Sequence, residues 1–299
     1  MDHDPQGDHV APWRGDGSVT DGEPPKATPS MRDVGVRVVT GVAMAVVALA
    51  VLWAGSLPFA VLVGAVAVVV SWEWGRIVRS AGVDAIFVIQ AGAVIVAVLL
   101  ASRGLAGLGL IAVLVAAILS SLLAFGERGH MAALGALYAG LPAVALVWLR
   151  GDMFGLLAVL FLLLAVWTTD TGAYFAGRRI GGPKLMPRIS PNKTWSGLIG
   201  GIAAAGIVGL VFALLANAGL HPGRMTVSGM VLGLVAQAGD LLESGLKREY
   251  GVKDASNLIP GHGGFMDRID GLAAAAVAAA LFAMVVNIQA PARALLGLN

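Results

Sequence analysis

Nine apolar stretches follow one another from Gly35 to the C-terminus, each close to the length that crosses a bilayer. No other feature limits the possible folds of this chain so much. A spanning helix needs about 20 mostly apolar residues. The windows fall near 35–54, 57–78, 84–101, 105–125, 131–149, 153–176, 195–217, 226–246 and 269–288. Hydrophobic residues make up 58% of the chain and charged residues 13%, against about 45–50% and about 25% in soluble domains. A soluble core of 299 residues could not hide so much apolar surface behind so few charges. The expected fold is therefore an all-α integral membrane protein, a polytopic bundle of about nine transmembrane helices.

The charges divide the chain. Seven of the 18 acids lie in residues 1–33, a stretch rich in Gly, Pro, Asp and Ser without apolar periodicity. It reads as a disordered cytoplasmic tail, too acidic and too polar for a cleaved signal peptide. Residues 34–150 form an N-terminal set of transmembrane helices and residues 151–299 a C-terminal, catalytic set, because seven of the other 11 acids fall between Asp170 and Asp270. With the tail inside, 16 of the 20 Lys and Arg residues collect on one side. Basic residues are retained in the cytoplasm, so the N-terminus and the basic loops are expected there, in the cell membrane. The acidic tail and membrane-hugging basic residues give nucleic-acid binding no support. The absence of cysteine excludes thiolate chemistry and cysteine zinc sites.

Two basic loops, 177–194 and 247–268, are long for a compact bundle, and loops of that kind usually carry function. Asp240, Glu243, Ser244 and Lys247 stand at i, i+3, i+4 and i+7 in the eighth window, on one helical face. An ionised carboxylate inside a span must meet a polar cavity, a cation or a partner. A structural ion pair at the membrane edge would serve equally well. Asp267 and Asp270 open the ninth window, where the helix dipole alone would also favour acids. Two such pairs near one interface suggest a hard divalent cation such as Mg2+, which takes carboxylate and phosphate oxygens. Lys184, Arg188, Lys193, Lys247, Arg248, Lys253 and Arg268 surround these acids. They fit an anionic nucleotide or phospholipid headgroup, or more simply a collar for anionic lipids. Gly261, Gly263 and Gly264 flank His262 and would let backbone N–H groups approach phosphate.

Other patterns carry little. Gly107-Leu108-Gly109 lies inside an apolar window, with no strand before it to make a dinucleotide fingerprint. Asn192-Lys193-Thr194 matches a glycosylation site but falls on the cytoplasmic side. Gly197 and Gly201 read as helix packing. No Walker-type phosphate loop is present.

Ser244-Gly245-Leu246-Lys247-Arg248, Lys253-Asp254, Pro260-Gly261-His262-Gly263-Gly264 and Asp267-Arg268-Ile269-Asp270 together resemble the signature of the phosphatidate cytidylyltransferases, the CDP-diacylglycerol synthases. A second block, Asp170 to Arg178 continuing into Ser190-Pro191-Asn192-Lys193-Thr194-Trp195-Ser196-Gly197, is similar to the same family. At Ser196 members often have an acidic or amide side chain, and Asn192 varies too, so position 196 receives no implied role. The resemblance implies CTP and phosphatidate giving CDP-diacylglycerol and pyrophosphate, with Mg2+ and room for a second cation. It implies Asp240 and Asp267 as leading metal ligands, with Asp270 and Glu243 next. Lys247, Arg248, Lys253 and Arg268 would bind triphosphate or lipid phosphate. Ser190, Lys193 and Thr194 would close over the nucleotide, with Asp170, Ser244, His262, Gly263 and Gly264 in contact with substrate. Membrane lipids are partners by necessity, and a homodimer is compatible with the sequence. A CTP-dependent polyprenol or lipid kinase, or a transporter with intramembrane carboxylates, is the alternative.

Overall fold

The computed structural model describes residues 31–125, 129–216, 218–259 and 262–298. Nine long helices run through the described residues: α1 (Met31–Ala54), α2 (Ser56–Arg79), α3 (Ala85–Ser102), α4 (Ala106–Ala124), α5 (Gly129–Arg150), α6 (Gly155–Ile180), α7 (Trp195–Leu215), α8 (Pro222–Glu249) and α9 (Met266–Asn287). They correspond one to one with the nine apolar windows. Eight are long and apolar enough to cross a membrane, while the apolar part of α1 is the shorter stretch Val38–Ala54. The chain is a multi-pass membrane protein. Most of the stretch read as a tail lies outside the described residues, and α1 begins at Met31, three residues inside it.

Hydrocarbon offers no partner to a bare N–H or C=O, so each span satisfies its own backbone as a helix. The ends are finished by side chains. Asp84 accepts the Phe87 N–H at 2.7 Å and the Arg79 Nε–H and Nη2–H at 3.0 Å each, so it caps α3 and ties it to α2. Burial works against ionisation of this carboxyl, but the Arg79 guanidinium and the Phe87 N–H hold it below the usual carboxylate range. Thr194 caps α7 and His221 caps α8.

Helix α6 packs on α7, α7 on α8, and α8 on α9, while α2 to α5 form a second group joined to the first chiefly where α5 meets α9. Small residues set the first three contacts. A Cβ on Gly201 would stand 2.7 Å from the Thr169 carbonyl of α6, as the Gly197 and Gly201 spacing predicts. A Cβ on Gly229 would collide with the Ala205 carbonyl of α7, and one on Gly239 would stand 2.9 Å from the Asp270 carbonyl of α9. Close backbone approach of this kind is how helices associate when lipid removes the hydrophobic drive between them.

Two features lie beyond the nine windows. The first long loop is a two-stranded antiparallel hairpin, β1 (Lys184–Met186) and β2 (Ser190–Thr194). A short helix, α10 (Pro291–Leu296), buries Leu295 and Leu296 at the opposite face of the bundle, its Ala292 N–H donating to Asp152.

Gly229→Leu should force α7 and α8 apart. Overpacking of a tight contact costs about 1–3 kcal/mol, so thermal unfolding in detergent should show a melting temperature lower by several degrees.

Candidate active site

Lys247 organises the C-terminal end of α8. Its buried side chain reaches back one turn to Glu243, Nζ to Oε2 2.7 Å, and across to Asp267 on α9, Nζ to Oδ1 2.7 Å. Glu243 is 2% exposed, so its charge has no water to rely on. Asp267 also accepts the Ala255 N–H at 3.0 Å and the Gly264 N–H at 2.8 Å. One turn deeper, Asp240 accepts from Ser244 Oγ at 3.2 Å and pairs with Lys193 of β2, Nζ to Oδ2 2.7 Å. The four residues of the α8 face thus work together, and the two distant basic loops converge on them.

The hairpin delivers Lys193 because its two ends are fixed. Gly181 and Gly182, at φ 66° and 101°, turn the chain out of α6 in a conformation that other residues adopt only with strain. Thr194 is held at the other end, its Oγ1 accepting the Gly197 N–H at 3.1 Å. Adjacent strand residues point oppositely, so while Thr194 is buried under α7, Lys193 reaches α8. The Arg248 Nε–H donates to the Ile189 carbonyl at 3.4 Å, and this bond links α8 to the hairpin turn.

Asp170 on α6 and Asp270 on α9 complete the acidic group. Both lie near enough to Asp240 to interact with it electrostatically. Asp170 Oδ1 accepts from the buried Gln237 at 3.3 Å, and Asp270 Oδ1 accepts the Gly271 N–H at 2.7 Å. An apolar groove of about 540 Å3 runs between α5, α8 and α9, with Glu243 and Asp270 in its wall beside Trp74, Tyr138, Leu242 and Leu246.

The remaining expected residues divide into two groups. Lys253 and Arg268 are exposed and Ser190 is half-buried, all at this end of the bundle. The glycine N–H groups expected to face phosphate are turned inward instead. The Gly263 N–H goes to the Ile259 carbonyl at 3.2 Å and that of Gly264 goes to Asp267. A glycine is required at 263 by φ +83°, and a Cβ there would crowd Asp267 Oδ2 at 2.8 Å. His262 Nδ1 lies 2.6 Å from Thr40 Oγ1 of α1, so it ties the loop to the first helix. The hydroxyl of Thr194 is likewise committed to a cap. Pro260 and Gly261 lie outside the described residues.

Sequence reasoning passed over Glu73 of α2, a fully buried carboxylate that accepts from Ser256, Phe265 and Met266 in the second loop. An acid inside an apolar window was the available signal, and Glu73 stands inside the second window. Gln237 and Thr40 were also missed, and neutral polar residues at these positions gave no signal.

Comparison with known proteins identifies the family. The model of the cytidylyltransferase family matches residues 35–286. The chain belongs to this family. The phosphatidate cytidylyltransferase of Brucella suis biovar 1 is 41% identical over 261 residues, covering 85% of this chain and 95% of its own length. Those of Bacillus subtilis and Haemophilus influenzae are 41% and 46% identical over 147 and 125 residues, covering 49% and 40% of this chain and 54% and 43% of their own lengths. As a cytidylyltransferase the protein is a nucleotidyl-transferring enzyme.

The donor set of this cluster is of the kind that hard divalent cations take. The acidic donors are all carboxylate oxygens, and Asp170, Asp240, Glu243, Asp267 and Asp270 outnumber the two lysines paired with them. Glu243 Oε1 is buried without a hydrogen-bond partner among the described residues, so it retains capacity for a ligand. Among the described residues no three acidic or histidine side chains close into a ligand cluster, and ammonium groups stand at Asp240, Glu243 and Asp267.

Replacing Lys247 by Met should leave Glu243 and Asp267 without their cation. Breaking a buried pair by removing one partner costs about 3–5 kcal/mol. Lys247→Met should therefore melt well below the parent protein, and Lys247→Met combined with Glu243→Gln should recover part of the loss.

Proposed function

We propose that this cytidylyltransferase transfers the cytidylyl group of CTP to phosphatidate, giving CDP-diacylglycerol and pyrophosphate at the cytoplasmic face of the cell membrane. The observation that carries the reading is the meeting of three elements at one end of α8: intramembrane carboxylates, the basic hairpin, and an apolar groove that reaches Glu243 and Asp270. A nucleotide arrives from water and a phospholipid from the bilayer, and only at such a junction could the two react. The names of the relatives, and the signature shared with their family, support the same substrates.

In this reading an oxygen of the phosphatidate phosphate attacks the α-phosphorus of CTP. The bond from that phosphorus to the bridging β-oxygen breaks, and pyrophosphate departs with its electron pair. The attacking oxygen is already anionic, so no general base is needed. What opposes reaction is repulsion between two anions, and positioning with cationic charge does most of the work in phosphoryl transfer. Lys193 and Ser190 on the hairpin serve CTP, and Thr194 fixes the hairpin that presents them. Arg248, Lys253 and Arg268 are placed for the lipid phosphate or the departing pyrophosphate, and Lys247 holds Glu243 and Asp267 in register. Asp240 and Asp267, with Asp270, Glu243 and Asp170 around them, would hold Mg2+. When bound, the ion would neutralise phosphate oxygens.

The deciding experiment incubates purified protein with CTP and phosphatidate. Label from the α-phosphate should enter lipid. Label entering from the γ-phosphate would instead make the enzyme a CTP-dependent lipid kinase, and no labelled lipid would remove both readings. Asp240→Asn and Asp267→Asn should lose at least about a hundredfold in kcat while remaining folded and membrane-inserted; parent-like rates in both would remove the carboxylates from the reaction.

The orientation rests on the 16 to 4 division of Lys and Arg. In this cysteine-free chain, single cysteines at Lys253 and at Gly223, both exposed and at opposite ends of α8, should be labelled from opposite sides. The expected pattern is Lys253 from the cytoplasm and Gly223 from outside; the reverse would invert the topology.

A further inference from the structure

The second basic loop is held from inside and from outside by two carboxylates that divide its donors between them. Asp267 of α9 takes the N–H groups of Ala255 and Gly264. Glu73 of α2 takes the donors immediately following each. Its Oε1 accepts from Ser256 Oγ at 2.5 Å and Phe265 N at 3.0 Å, and its Oε2 accepts from Met266 N at 2.7 Å. Nearly two hundred residues separate Glu73 from the two backbone donors. The first N–H groups of a helix have no partner within it, and Phe265, at the N-cap of α9, supplies no side-chain cap. Glu73 takes the place of that missing cap.

The surroundings show that the fit is close. Glu73 is fully buried and has no ion-pair partner among the described residues. Its charge is balanced by three donors and by the positive end of the α9 dipole. A Cβ on Gly264 would run into the Glu73 carboxylate, which leaves only glycine at that position. Beside it, Trp74 packs in one cluster with Met266 and Ala255, and its Nε1–H donates to the Met131 carbonyl at 2.8 Å. The end of α2 is therefore a seat for Ala255, Ser256, Phe265 and Met266.

We infer that Glu73 is a positioning residue for cytidylyl transfer, acting through the loop that sets Asp267 and not on substrate. The inference rests on the proposed reaction only for its activity readout. The chain of contacts runs from Glu73 to the Phe265 and Met266 N–H groups, to the adjacent Asp267, and through Asp267 to Lys247 and Glu243. Glutamine at position 73 would keep the size of the side chain. It would replace one acceptor oxygen with an NH2 group facing N–H and O–H donors, and so would open the clamp.

The test uses the full chain, purified and reconstituted, with wild type first shown to transfer α-label into lipid. In Glu73→Gln, kcat per folded molecule should fall by about tenfold or more while KM for CTP and for phosphatidate moves by less than about threefold. Amide hydrogen exchange should accelerate across residues 253–268 and stay unchanged in α3, α4 and α7. Ser256→Ala removes one donor and should show a smaller version of both effects, and the double variant should be less damaged than the two losses combined predict. Unchanged turnover in Glu73→Gln, slowed turnover without faster exchange in 253–268, or independent effects in the double variant would each overturn the inference. If Glu73→Gln does not fold, Ser256→Ala decides: parent-like turnover and exchange would refute the clamp. A wild type without α-label transfer would strike the proposed reaction and leave the exchange measurement to judge the role of Glu73 alone.

Discussion

A single ammonium group between two carboxylates, Lys247 Nζ with Glu243 and Asp267 at 2.7 Å each, joins α8 to α9 where neither helix could keep its charges alone. Isolated charges inside a span are expensive, and two acids facing one another would repel. With the lysine between them the same groups become a reason for the helices to associate. Asp240 can then take its cation from the hairpin, and Asp170 and Asp270 can stand beside it.

Glycine contacts let these groups meet. Where Gly201 of α7 packs against α6, Gly229 of α8 against α7 and Gly239 of α8 against α9, the backbones approach closely enough for side chains from α6, α8, α9 and the hairpin to share one small volume. Longer residues at those positions would clash with the facing carbonyls and force the helices apart. The close packing of α6 to α9 and the polarity at their end are thus parts of one arrangement. The first also supplies the van der Waals contact that holds a bundle together in lipid, and the second gathers the charges proposed to carry the reaction. The N-terminal helices take part through Thr40 at His262, Glu73 at the start of α9, and Trp74 and Tyr138 in the groove wall, so the site depends on both halves of the chain.

Much of this was legible in advance, and the failures have physical causes. The helices followed from apolar length, because lipid forces the backbone of every span to satisfy itself. The face made by Asp240, Glu243, Ser244 and Lys247 followed from helical spacing, whereas nothing in the motif around Lys193 told of its pairing with Asp240. The hairpin was read as loop because Lys184 to Thr194 is polar and short, without an alternating pattern to mark strands. The N–H groups of Gly263 and Gly264, expected to face phosphate, are taken up within the protein. Glycine beside a basic cluster suits phosphate, but it equally suits a carboxylate of the protein itself, and here Asp267 and Glu73 occupy that space. Glu73 was visible as an acid in an apolar window and was passed over because it belongs to no motif.

The sequence by itself determined that the chain crosses a membrane many times, which ends of the helices are basic, and which acids share a face of α8. Each of these depends on length, composition or spacing within one helix, quantities that local backbone geometry makes readable. Only the tertiary structure decided which acid meets which cation: Lys247 goes to Glu243 and Asp267, Lys193 to Asp240, and Glu73 to the start of α9. The acids and cations within reach of one another in a linear list allow many pairings of similar Coulomb energy. The choice among them comes from helix packing, in which the close glycine contacts fix relative height and rotation, and so which charges meet out of reach of water.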